Sequence, residues 1–100
     1  MKDFYFNSEG DEKEFLKKNK WVIHSLIIDG VKKAYEEKLE SITVFRIINT
    51  VSNFVMTSEL KKDDWLDSLS KSMDYFVSIE EYEKCAHILK ILKKSQNFLS

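Results

Sequence analysis

The sequence has no proline and only two glycines, Gly10 and Gly30. That leaves almost no means of building phosphate-cradling loops or a many-turned β architecture, so most of the chain belongs in regular elements. Cys85 is the single cysteine, which rules out an internal disulfide and agrees with a reducing compartment. No apolar run is long enough to span a bilayer: "WVIHSLII" is short and interrupted. The start, "MKDFYFNSEGDEKEF", carries acids where a signal peptide needs an apolar segment, so a cytoplasmic protein without membrane attachment is expected. A formal charge of -1 provides no global field to draw the chain to nucleic acid. Calcium loops of the D-x-D-x-D-G type, H-E-x-x-H and G-x-S-x-G are all missing, and the expectation is a protein that is not an enzyme and needs no cofactor.

What remains is 100 residues, 43% apolar and 33% charged, enough for one small domain over 1–100. Residues 1–10 hold an apolar "FYF" that reads as a short strand or a flexible tether. Asp11 and Glu14 match a helix cap, and Phe15, Val22, Ile23, Leu26, Ile27, Val31 and Ala34 recur at helical spacing, predicting a helix over 11–38. Gly30 either ends that helix or permits a close packing contact.

In "SITVFRIINTVSNFVMT" Ile, Thr and Val dominate. β-branched side chains suit a pleated surface, so two strands are expected, 42–48 and 52–57, turning near Asn49 and Thr50. Trp65, Leu69, Met73 and Phe76 then mark a helix over 62–77. Ser78 and Glu81 form an S-x-x-E capping box, with Val77 and Tyr82 as its hydrophobic staple, so a last helix should follow at once and make an αα-hairpin. Its expected inward stripe is Ile79, Tyr82, Cys85, Ala86, Leu89 and Leu92, with Glu80 and Lys84 paired outward. The fold class is therefore α+β: one domain with a long helix, a β-hairpin and a C-terminal αα-hairpin. An all-α bundle is the alternative, because Val44, Ile47, Ile48, Val51 and Val55 also fit helical spacing.

Cys85 and His87 lie about 200° apart around a helix, too far to share a metal, and the nearby Glu81 and Glu83 are the wrong sign to activate a thiol. No metal site is expected. The adjacent acids at 36–37, 63–64 and 80–81 read as caps and solubilising charge. Thirteen aromatics in so short a chain exceed what the inward stripes absorb. Trp21, Tyr35, Phe45, Phe54 and Tyr75 are the candidate protein-interface residues, and the hairpin offers an edge for strand addition. The terminal aromatics serve equally well as cover for their own hairpin. Lys17, Lys18 and Lys20 beside Trp21 form the candidate nucleic-acid patch, with Lys90, Lys93, Lys94 and Phe98 as a second.

"EEYEKCAHILKILKK" resembles the UVR motif of excision-repair nuclease subunits and some Clp-type chaperones, a short helical hairpin with an aromatic-Glu-x-Ala-Ala-x-Leu-Arg-Asp core. Tyr82, Glu83, Ala86 and Ile88 match; Cys85 stands in for an alanine, and Leu89-Lys90 replaces Arg-Asp. The resemblance implies protein contact, as a repair or chaperone accessory. The AT-rich residue usage, with Arg46 the one arginine, looks like that of small accessory proteins from bacteriophages and AT-rich bacteria. The expected function is non-catalytic protein binding by an adaptor, an inhibitor or a self-associating homo-oligomer, with nucleic-acid association as the alternative.

Overall fold

The computed structural model describes residues 2–6 and 12–99, and of these the side chains of 2–6 and 13–94. Strand β1 (Lys2–Phe6) is followed by helices α1 (Glu12–Lys18) and α2 (Lys20–Glu37), strands β2 (Ser41–Asn49) and β3 (Phe54–Lys61), a 3-10 turn (Lys62–Asp64), and helices α3 (Trp65–Ser78) and α4 (Tyr82–Leu99). The sheet order is β1-β2-β3, with β1 parallel and β3 antiparallel to β2. The fold is a small α+β domain, as the β-branched segment between two helical ones implies. The expected strand in residues 1–10 is present as β1, and its parallel pairing requires the crossover through α1 and α2.

The expected single helix over 11–38 is two helices. The backbone of Asn19 leaves helical geometry at φ -116° and ψ 29°, while its amide and its side chain both donate to the Phe15 carbonyl, at 3.0 and 2.9 Å, and α2 starts afresh after it. The proposed Asp11 cap lies outside the described residues. Gly30 does not end α2; a Cβ there would sit 3.0 Å from Ile42 Cδ1, so its bareness lets the helix approach β2. Lys38, left-handed at φ 56°, ends α2, and the next amide, Leu39, bonds back to the Ala34 carbonyl.

The hairpin turns later than the sequence suggests. Asn49 Oδ1 accepts from the Val51 and Ser52 amides at 3.0 and 3.3 Å and Asn53 takes φ 56°, so the second strand occupies 54–61 rather than 52–57. A bulge between Thr43 and Phe45 lets Val44 and Phe45 both point inward.

Helix α2 rests on β2, and α3 and α4 pack against α2 to complete one helical layer. Ile28, Val31, Ile47, Trp65, Leu69, Phe76 and Ile88 are fully buried between them. The expected stripe of α3 holds: Trp65, Leu69 and Phe76 are core, and Met73 packs against it. The capping box does not form. Ser78 remains the last residue of α3 and donates to the Tyr75 carbonyl, Glu80 takes φ 60°, and the Glu81 carbonyl opens α4 by accepting from Lys84 and Cys85. Val77 and Tyr82 are both exposed, so there is no staple. The inward stripe of α4 is consequently turned by one position: Cys85, Ile88 and Ile91 are buried, while Ile79, Tyr82, Ala86 and Leu89 face water.

Candidate interaction surfaces

Because side chains alternate along a strand, cross-strand registry sorts the sheet into two faces. Phe4 and Phe6 of β1, with Phe45 and Ile47 of β2, turn toward the helices, and the rings of Phe4 and Phe6 meet Phe15 of α1 at 4.7 and 5.0 Å. The opposite face carries no helix. It presents a row Asp3–Arg46–Thr57 and a row Tyr5–Ile48–Val55, with Tyr5 67% and Val55 55% exposed.

The first row is held by a two-pronged ion pair: Arg46 Nε donates to Asp3 Oδ1 at 2.9 Å and Nη2 to Oδ2 at 2.7 Å. The hydrogen bond from Arg46 holds the Asp3 carboxyl below its ordinary range, and the same bond raises the guanidinium. This fork fixes β1 to β2 beside the apolar row. The second row is a small greasy patch, Tyr5, Ile48 and Val55, open to solvent at the end of the sheet where the exposed Val51 lies in the turn.

On the helical layer a second cluster forms. His24 Nδ1 lies 2.8 Å from Ser72 Oγ, and the His24 ring stacks on Tyr75 at 4.7 Å. Burial lowers the His24 pKa, helped by the positive Lys20 one turn earlier, which favours the neutral imidazole. A serine beside a neutral histidine has the elements of a nucleophile and base. Ser72 is fully buried, however, out of a substrate's reach, and the pair acts as a polar link between α2 and α3. Trp21 stands beside this cluster, edge-on to Phe76 at 6.5 Å, with the Lys84 ammonium 4.7 Å over its ring. The outward pairing expected for Lys84 is replaced by this cation–π contact.

The five candidate interface residues do not converge. Tyr35 and Phe45 are core residues, because the α2 stripe and the β2 bulge turn them inward; Tyr35 packs edge-on to Trp65 at 5.1 Å. Trp21 and Tyr75 share the His24 cluster, and Phe54 stands 46% exposed at the start of β3. Lys17 and Lys18 close α1 and Lys20 opens α2, all exposed. Their proposed stacking partner, Trp21, already carries Lys84 on its ring. The side chain of Phe98 lies outside the described residues. The row Tyr5–Ile48–Val55 is not among the candidates read from the sequence, and the alternation in "DFYF" and "RIIN" carries its signal once the pairing is known.

Among the described residues, no three His, Cys, Asp or Glu side chains gather as a metal site, and no helix is long and apolar enough to cross a membrane. No protein-family model, curated protein or solved structure matches the chain.

Proposed function

We propose that this protein is a non-catalytic protein-binding module that self-associates along the free edge of β3. The carrying observation is the contrast with ordinary edge strands, which are kept short, bulged, prolyl or charged on the inward side to prevent pairing. Strand β3 has 8 residues, no proline, and Phe54, Met56, Ser58 and Leu60 on its helix-side face. Among the described residues it pairs on one side only.

A second copy is the occupant with the best argument, since antiparallel pairing of a strand with itself is two-fold symmetric and closes the assembly at a dimer. Only registers that keep both helical layers on one side preserve the faces. With Thr57 on the axis, Phe54 meets Leu60 of the second copy and Met56 meets Ser58. The otherwise exposed Phe54 is thereby covered, and Val55 lies opposite Glu59. A continuous sheet results, more stable than three strands alone. Its helix-free face keeps Tyr5, Ile48 and Val55 available to a further protein, which suits an adaptor or inhibitor.

Light scattering tests the reading directly. The wild type should be a dimer, and Thr57→Lys should be a monomer, because two like charges then face each other across the axis; its thermal midpoint should be lower than the dimer's and independent of protein concentration. A wild type that stays monomeric up to concentrations used for NMR removes the proposal.

A further inference from the structure

We infer that a cleft between α2 and α4, on the helical layer and remote in kind from the sheet edge, is a binding site for a small amphiphilic anion: an acyl or aromatic body with a carboxylate or phosphate head. The cleft has a volume of about 310 Å³, at the lower end of small-ligand sites. Helical spacing builds it. Lys32, Tyr35 and Glu36 line one wall at i, i+3 and i+4 of α2, and His87, Lys90, Ile91 and Lys94 line the other at i, i+3, i+4 and i+7 of α4.

Its floor is apolar, because Tyr35 and Ile91 belong to the core. Its rim is cationic. Lys32, Lys90 and Lys94 face one carboxylate, Glu36, and none of the three lysines makes an ion pair among the described residues, although Lys32 and Glu36 stand at ion-pairing spacing. Three ammonium groups against one carboxylate leave an excess of positive charge around a greasy floor, and an anion that also covers the floor relieves both costs.

Other ligand classes fit less well. A metal ion would find only His87 and Glu36 as donors beside three repelling lysines. A sugar would find few hydrogen-bonding groups on a floor made by a tyrosine ring and an isoleucine. A free inorganic anion would be held by the half-buried Lys32 and the exposed, water-screened Lys90 and Lys94 alone and would leave the floor wet.

The experiment titrates octanoate into the full chain and follows backbone amide resonances. Inorganic phosphate and octyltrimethylammonium serve as the head without the tail and the tail with the opposite charge. Octanoate should saturate at one site, with the largest shifts in residues 32–36 and 87–94, and its affinity should fall with added salt. Lys90→Gln with Lys94→Gln should weaken it about tenfold or more. Both positions are exposed, so the fold persists and well-dispersed resonances report that directly. Lys32→Glu provides a second variant on the opposite wall, with the same expected loss. Failure of octanoate to saturate, equal binding of octyltrimethylammonium, or unchanged affinity in both variants overturns the assignment. The dimer test reads a different surface, so either result stands without the other.

Discussion

Ile47 and Ile48 are neighbours in β2, identical in chemistry and opposite in fate. Ile47 lies wholly inside, between the sheet and the helical layer, while Ile48 sits half-covered on the face that no helix reaches. The same alternation separates Phe4 and Phe6, which stack on Phe15, from Tyr5, which meets water. A period-two strand supplies apolar groups to both sides, and the connections of the fold decide which side becomes core. Cohesion is therefore concentrated on one face, and surface for recognition is left on the other.

The sharpest way to break this comparison is to truncate the two isoleucines separately. Ile47→Ala should cost about 2–5 kcal/mol, because lost transfer energy and a residual cavity add in a site that cannot collapse. For a domain whose total stability is of order 5–15 kcal/mol that is a large share. Ile48→Ala removes the same atoms and suffers the same change in strand preference, yet should cost no more than about 1 kcal/mol, since water already reaches the site. Urea denaturation of both variants measures the difference. Equal losses would mean that the two faces are not distinct.

Acid sharpens the comparison through a different observable. His24 belongs to the helical layer, and burial lowers its pKa below the ordinary 6.5. The unfolded chain then binds the proton more readily, so stability is fully present above 6.5 and declines as the pH falls below that value toward the folded pKa. Asp3 lies on the bare face with its pKa lowered from 3.8 by Arg46, so its contribution is present above 3.8 and fades only as the pH falls through the lower folded value. Melting curves should show the His24 decline first, at milder acidity. His24→Gln should flatten that limb and leave the more acidic one in place.

The sequence discloses the helical layer better than it discloses the sheet's surroundings, for physical reasons. Trp65, Leu69 and Phe76 are readable because α3 is amphipathic and its stripe depends on local spacing alone. The inward turn of Cys85 is readable for the same reason. The phase of the rest of α4 is not, because S-x-x-E at 78–81 promises a cap that the chain declines: α3 runs on through Ser78, and the reversal falls on Glu80 in a left-handed conformation. The opening of α4 moves from Ser78 to Glu81, and Ile88 and Ile91 rather than Leu89 lie in the core. The candidate interface residues suffer from non-local causes. Phe45 is drawn inward by a bulge, and Tyr35 by an edge-on contact with Trp65 thirty residues downstream. The bare face itself depends on a parallel pairing between residues 2–6 and 45–49, which no local pattern encodes.

The smallest expected effect tests whether that face is bare at all. Val55 lies in the open row beside Ile48, more than half exposed, and Val55→Ser gives up little burial and a few tenths of a kcal/mol of strand preference. Its urea midpoint should correspond to a loss within about 0.5 kcal/mol, the range of surface substitutions away from caps, ion pairs and core. In the proposed dimer Val55 meets a glutamate rather than an apolar partner, so the association measured by light scattering should also hardly change. A loss of several times that size would mean that Val55 is covered in solution. The cover would have to come from another part of this chain or from a second copy stacked face to face, and either would move the interface from the edge of β3 to the broad side of the sheet.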